Sequence, residues 1–205
     1  MILYKYDLDL DLPSAVKDCE RIRKKILSLQ PILDDNTTAK DYDKALYSQL
    51  TNAPITSRLH SQYNAFTFPY QTIYEMCVAS MECFKMVVQH DEPYCVHAWL
   101  NYQSRGEVIP RHYHWKGLSN LDKTYVGVIH INSEPSTITY YYPDSQTEVM
   151  ECINNTFVLY EDDGNSHEVS VWEQDKPRIS IAMDFVPMKY IPATKYVLNT
   201  WMPVL

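Results

Sequence analysis

The spacing of apolar residues changes its period partway along the chain. Residues 6–12 alternate strictly between polar and apolar, which predicts a half-buried strand. A helix is predicted from Pro13, because apolar residues then recur at steps of three and four, and Pro31 is expected to end it. A second helix is predicted over residues 70–89. The first part of the chain is therefore expected to be mainly helical.

From Val96 onwards the pattern is that of short strands separated by turn residues. Many short strands at regular spacing are typical of an antiparallel sandwich or barrel rather than a parallel sheet. The eight predicted strands cover residues 96–102, 108–114, 124–131, 137–142, 147–153, 157–160, 168–172 and 178–186. Helices followed by strands predict an α+β, mostly β protein whose N-terminal helices pack on one sheet.

The chain of 205 residues is expected to form a single domain, 1–205. Residues 1–95 would supply the N-terminal strand and helices, and residues 96–187 the core strands. Residues 188–205 would form a C-terminal extension that wraps the surface.

Composition excludes several classes of protein. A hydrophobic content of 45% and a charged content of 21% exclude a disordered chain. Four glycines are too few for a Gly-rich phosphate loop, which excludes P-loop and dinucleotide-binding folds. A net charge of -8 gives no strong nucleic-acid signal. No stretch approaches 18 apolar residues, so no membrane association is expected.

The five cysteines are odd in number and include no CxxC pair. This pattern disfavours a thiolate metal site and predicts free thiols in the reducing environment of the cytoplasm.

Three histidines are candidates for a metal site. His112 and His114 lie two residues apart in a predicted strand, so their side chains point to the same face. Imidazole nitrogen is a ligand that suits iron, zinc, copper and nickel. His167 opens a later strand and would close the site. The alternative is that the first two are exposed histidines on an edge strand.

Arg178 begins a predicted strand that is otherwise apolar, and it shares a face with Ser180. A buried arginine requires a partner, so an anion is expected beside it. The planar guanidinium binds a carboxylate through two hydrogen bonds. A structural salt bridge is the alternative.

Together these residues resemble the iron(II)- and 2-oxoglutarate-dependent oxygenases, which have the double-stranded β-helix (jelly-roll) fold. More narrowly, they resemble a branch of these oxygenases that is common in bacteriophages. The order and spacing carry the resemblance: a histidine, a second histidine 55 residues later, then an arginine after 11 more and a serine two beyond it. The matching segments are residues 99–102, Gly106, 112–115, 134–136, 166–167 and 177–185.

The resemblance implies an oxygenase, most simply a hydroxylase, that uses Fe(II), 2-oxoglutarate and O₂ and releases succinate and CO₂. A small molecule or a peptide would be its substrate. The metal ligands would be His112, His114 and His167, with Arg178 as the fourth catalytic residue. The cosubstrate would be bound by Arg178 and Ser180, with Asn101, Tyr102 and Tyr125 lining its pocket.

One departure from the family pattern leaves alternatives open. Members of this family usually carry Asp or Glu two residues after the first histidine, where this chain has His114. If His114 is not a ligand, Asp122 or Glu168 would take its place. Other functions remain open too: a three-histidine cupin-type metalloenzyme that does not use 2-oxoglutarate, or a non-catalytic jelly roll for binding or assembly. A homodimer is also left open.

The glycines add a weaker indication of the same site. Gly106, Gly117 and Gly164 flank the candidate ligands, where the chain must turn sharply to direct side chains inward. Gly127 lies within a predicted strand, where it would leave room for a ligand or a bulge.

Overall fold

The computed structural model describes residues 3–34, 63–88, 92–114, 123–142, 145–162, 164–193 and 200–204. Within these ranges lie two α-helices, α1 (Leu12–Asp34) and α2 (Gln71–Val87). Two short 3₁₀ segments cover Ala65–Thr67 and Met188–Ala193. The ten strands are β1 (Leu3–Asp7), β2 (Tyr94–Gln103), β3 (Ile109–His112), β4 (Thr124–Asn132), β5 (Thr137–Tyr141), β6 (Thr147–Glu151), β7 (Thr156–Asp162), β8 (Ser166–Val169), β9 (Arg178–Pro187) and β10 (Met202–Val204).

The strands form two antiparallel sheets. The six-stranded sheet has the order β1-β7-β4-β9-β2-β10, and the four-stranded sheet has the order β3-β8-β5-β6. This arrangement confirms the predicted α+β, mostly β jelly roll. All eight predicted core strands are present, with ends that differ by a few residues.

The two helices cover one face of the six-stranded sheet, as the sequence predicts. Cys19, Ile22 and Ile26 form the buried stripe of α1, because residues three and four apart share a helix face. From α2, the ring of Phe84 stacks on Phe185 of β9 with centroids 4.2 Å apart. This apolar layer fixes the sheet from one side.

The other face of the six-stranded sheet meets the four-stranded sheet. A second apolar cluster lies there and includes Val126, Val158 and Tyr160 of the larger sheet and Ile138 and Tyr140 of the smaller one. Since side chains alternate along a strand, one residue in two of β2, β4, β7 and β9 faces this inter-sheet space. The candidate site residues described below lie in it.

Three local predictions differ from the structure. Pairing of β1 ends at Asp7, opposite Thr156, where its partner strand begins. The alternating burial of residues 8–12 nevertheless continues beyond the strand. Helix α1 passes through Pro31 to Asp34, because the fixed φ of proline suits a helix, which then lacks one hydrogen bond. The C-terminal extension contributes β10, which pairs with β2.

Gly127 does not leave room for a ligand or a bulge. A Cβ at this position would lie 2.7 Å from Cε2 of Phe157 and 2.9 Å from Cγ of Met183. Both neighbours belong to the core beneath the helices. The absent side chain of Gly127 therefore makes space for core packing.

The cysteines agree with a further prediction. All five cysteines, Cys19, Cys77, Cys83, Cys95 and Cys152, are buried and free. Neither α1 nor α2 combines the length and the apolar character that a membrane-spanning helix requires.

Candidate functional site

Three histidines converge at one end of the inter-sheet space. β3 and β8 are neighbours in the four-stranded sheet, and their register makes His112 and His167 Cα partners. The ring of His114 lies 5.3 Å from that of His112 and 5.1 Å from that of His167, centroid to centroid. One nitrogen from each ring lies within 4.8 Å of the other two, which is compatible with a shared metal ion.

The hydrogen bond of His112 fixes which of its nitrogens carries the hydrogen. Its Nδ1 lies 2.8 Å from the carbonyl oxygen of Pro110. A carbonyl can only accept, so Nδ1 carries the hydrogen and Nε2 keeps its lone pair. Such a bond to the second nitrogen is usual for a histidine that binds a metal.

His114 is held by a carboxylate from the other sheet. Its Nδ1 donates to Oδ1 of Asp184 on β9, at 2.6 Å. Burial lowers the pKa of His114, but the charge and hydrogen bond of Asp184, helped by the charge of Asp162, outweigh burial and leave the pKa raised. Since Nδ1 is engaged, Nε2 is the nitrogen that His114 could present to a metal.

His167 is held in its neutral form. Burial and the neighbouring rings of His112 and His114 place the pKa of His167 well below its ordinary value. Its Nδ1 lies 3.4 Å from the hydroxyl of Tyr160. A neutral imidazole is the form that binds a metal.

The alternative third ligands receive no support from the described residues. Glu168 follows His167 on β8 and therefore points to the opposite face, where it accepts a hydrogen bond from the hydroxyl of Tyr141 at 2.6 Å. Asp122 and Gly117 lie outside the residues that the structure describes. His114 is thus the residue that the structure brings to the other two histidines.

Arg178 is buried in the same inter-sheet space, with 1% of its surface exposed. Its Nε donates to Oγ of Ser136 at 2.8 Å. One terminal nitrogen donates to Oε1 of Gln103 at 2.9 Å and to Oγ of Ser180 at 3.1 Å. The other has only Sγ of Cys152, at 3.6 Å. Among the described residues, no carboxylate lies within 4.0 Å of this guanidinium.

His130 and Tyr140 also have buried polar atoms without partners. Both ring nitrogens of His130 and the hydroxyl of Tyr140 are buried and make no hydrogen bond. His130 is the Cα partner of Ser180. Cys152, which lies beside Arg178, helps to raise the pKa of Tyr140. Burial and the positive charge of Arg178, with that of Lys5, lower the pKa of His130 to about 3. Buried polar groups are normally paired, so these atoms could bind a polar ligand.

The structure brings some of the predicted cosubstrate residues to this pocket and not others. Ser180 contacts Arg178, and Asn101 is the Cα partner of Ser180 on the face that carries Gln103. Tyr102 must face the other way because it is adjacent to Asn101, and the guanidinium of Arg23 on α1 lies 4.4 Å from the centre of its ring.

Tyr125 also lies on the helix-covered face and is not part of the pocket. Its ring packs 5.6 Å from that of Phe84, a residue of α2. Because side chains alternate along β4, Val126 lies in the inter-sheet cluster and Tyr125 does not.

Sequence reasoning missed several residues of the site. Asp184 could have been identified from the sequence, because it lies on the same strand face as Arg178 and Ser180. Gln103 shares a strand face with Asn101 and Ser136 lies in the matching segment 134–136, whereas Cys152 had no such signal. They come from a strand end and two connections that meet only in the folded chain.

No protein-family model matches the sequence, and no curated protein sequence matches it significantly. The solved structures that resemble it in fold include two that align over most of both chains. One is a non-haem monooxygenase, the ThoJ–nickel complex, with TM-score 0.56 and 9% identity over 90% of this chain and 73% of that one. The other is a prolyl hydroxylase from Trichoplax adhaerens in complex with a peptide fragment of the hypoxia inducible factor oxygen degradation domain. Its TM-score is 0.50 at 11% identity, covering 88% of this chain and 96% of that one.

The chain has the fold of these two enzymes. The resemblance predicted from the histidines and the arginine is thereby confirmed at the level of the fold. The narrower resemblance to bacteriophage oxygenases stays a prediction.

Proposed function

We propose that this protein is a non-haem Fe(II)- and 2-oxoglutarate-dependent oxygenase, and specifically a hydroxylase. One observation carries the proposal: a cluster of three imidazoles and a buried arginine without a carboxylate partner lie in the same inter-sheet space. The two enzymes of like fold are named as a monooxygenase and a prolyl hydroxylase, and their names agree with the proposed reaction.

The three histidines fit Fe(II). Their donors are imidazole nitrogens, which suit divalent iron. Hydrogen bonds to Pro110 and Asp184 engage Nδ1 of His112 and His114, so Nε2 is the nitrogen that each would present to iron. Three protein ligands leave coordination positions open for a keto acid and O₂. Bound iron would couple decarboxylation of the keto acid to the insertion of one oxygen atom into a C–H bond.

Arg178 fits the distal carboxylate of 2-oxoglutarate. The terminal nitrogen beside Cys152 has one hydrogen without a partner and a second on a weak thiol contact, so both can be redirected to an anion. The hydroxyl of Tyr140 remains protonated, because burial raises its pKa, and it can donate to the same carboxylate. Neutral His130 can complete the pocket through either ring nitrogen.

The surrounding residues keep water from the site. An apolar cluster between the sheets includes Val126, Val158 and Val169. In such surroundings the hydrogen bonds of Arg178 to a carboxylate are stronger than in water. The chain therefore binds and orients the cosubstrate, while the metal supplies the redox chemistry.

The proposal is tested by titrating the anaerobic Fe(II) protein with 2-oxoglutarate and recording the charge-transfer absorption of the iron chelate. We expect the band to appear and saturate. Arg178→Met removes the guanidinium at similar volume and should weaken 2-oxoglutarate binding by about 10- to 100-fold, the value of a charged hydrogen-bond pair. The matched control is Arg105→Met, because Arg105 is exposed and pairs with Asp175.

Three outcomes would contradict the proposal in different ways. Iron binding without the band would exclude 2-oxoglutarate chelation. A band unaffected by Arg178→Met would exclude the assigned pocket. Failure to bind iron would exclude this enzyme class. Once the band is seen, O₂-dependent release of succinate tests the oxygenase reaction itself.

A three-histidine metalloenzyme that does not use 2-oxoglutarate is the second candidate. The observation that favours it is His114, which stands where a carboxylate ligand is usual and leaves the site without an anionic ligand. It predicts iron binding without a keto-acid band. It gives no reason for the buried charge of Arg178, which is why we place it second.

A further inference from the structure

Asp184 lies in a strand that is paired on both sides, close to the three histidines. It lies on β9, which pairs with β2 on one side and β4 on the other, so the backbone around it is fixed at both edges. Its Cα partners are His97 and Val126. Its side chain is 13% exposed and reaches across the space between the sheets.

His114 has much less backbone support. It lies two residues beyond the end of β3, so no strand pairing fixes its position. Its side chain is 6% exposed, and its ring lies 5.6 Å from the ring of Trp99. The 2.6 Å hydrogen bond from its Nδ1 to Asp184 is a directional contact that orients this ring.

The direction of that hydrogen bond determines what His114 can offer. A carboxylate without a proton can only accept, so the hydrogen lies on Nδ1 and the lone pair on Nε2. A carboxylate in this position orients a ligand ring and makes its free nitrogen a stronger donor.

We propose that Asp184 is a positioning residue for the metal. It acts through its hydrogen bond to Nδ1 of His114. It also supplies a negative charge near the site, which the three histidines themselves do not carry. This inference rests on the metal-binding part of the proposed function. It does not require 2-oxoglutarate.

The test measures the affinity of the full-length chain for Co(II) by calorimetry and by the visible absorption of the bound ion. Asp184→Asn should weaken Co(II) binding by about 10- to 100-fold, which is typical for loss of such a partner. Asp184→Ser is measured in parallel, so that the test does not depend on the folding of one variant. Asp175→Asn is the control, because Asp175 is 90% exposed, and it should leave the affinity unchanged.

A double-mutant cycle separates positioning from a general effect on folding. If Asp184 acts through His114, then His114→Ala and His114→Ala/Asp184→Asn should bind Co(II) with the same affinity. A further loss in the double variant would show that Asp184 acts by another route and would overturn the inference. Wild-type affinity in both folded Asp184 variants would also overturn it, yet leave the proposed function intact. If the wild type itself does not bind Co(II), the proposed metal site fails first.

Discussion

His130 is buried completely, and both of its ring nitrogens lack a hydrogen-bond partner. Burial lowers the pKa of His130, and the nearby guanidinium of Arg178 lowers it further. The sequence contains no sign of this, because His130 is isolated in a strand of the core. The register that brings it beside Ser180 exists only in the folded sheet.

The lowered pKa of His130 predicts that the folded chain loses stability as the pH falls. Its pKa is about 3 in the folded chain, against about 6.5 in an unfolded one. Between these values the unfolded chain binds the additional proton, so the free energy of unfolding falls as pH falls, by up to about 1.4 kcal/mol per pH unit from this residue. His130→Gln should remove this contribution. Denaturant unfolding at pH 7 and pH 4.5 should therefore show a smaller difference for the variant than for the wild type; equal differences would contradict the assignment.

Strand periodicity made part of the site predictable at the level of single residues. His112 and His114 share a face by spacing alone, and so do Arg178 and Ser180. The same rule should have excluded Tyr102, because it is adjacent to Asn101 and must point to the opposite face.

Among the elements, the eight core strands were predictable because each is a short run bounded by turn residues. The predicted position of β1 was wrong, because alternation indicates burial and not strand pairing. Residues 8–12 keep the alternating burial after the pairing with β7 has ended at Asp7. Strand β10 has three residues, which is too few for a periodic signal.

The contact between α1 and α2 contains a buried carboxylate that predicts a test at the level of elements. Oδ2 of Asp18 accepts a hydrogen bond from the hydroxyl of Thr72 at 2.8 Å, and Oδ1 accepts one from Arg21 at 2.9 Å. Asp18→Ala would leave the buried hydroxyl of Thr72 unpaired and should lower the free energy of unfolding by about 1–3 kcal/mol. Urea unfolding measures this change.

Lys24→Ala is the control for Asp18→Ala, because Lys24 is exposed on the same helix. It should change the free energy of unfolding by less than about 0.5 kcal/mol. Equal effects of the two substitutions would show that the Asp18 contacts do not stabilise the helix pair.

In the whole molecule, the candidate site joins the two sheets. His112 and His167 belong to the four-stranded sheet, whereas Asp184 and Arg178 belong to the six-stranded one. The sequence predicted two layers but not which strands face each other. Strand order depends on pairings such as that of β1 with β7, which are distant along the chain.

A site that joins the sheets predicts stabilisation by its metal. A ligand that binds only the folded chain stabilises it by about 2.7 kcal/mol at 100 times its Kd. For a chain of this size, Co(II) should then raise the Tm by about 5–10 °C. The measurement is a thermal unfolding scan with and without Co(II), with His167→Ala as the variant that should lose the rise.

Mg(II) serves as the control in the thermal scan, because it prefers oxygen ligands and should leave the Tm unchanged. A rise of the same size in His167→Ala would place the Co(II) site elsewhere on the chain.

The buried charge of Arg178 has a consequence for the life of the protein in a cell. A cation kept from water without a counter-charge destabilises the folded chain until an anion arrives. Chains without the anion would unfold more often and be degraded sooner than chains that hold it. If 2-oxoglutarate is that anion, the amount of the protein would follow the supply of its proposed cosubstrate, without a separate regulatory site.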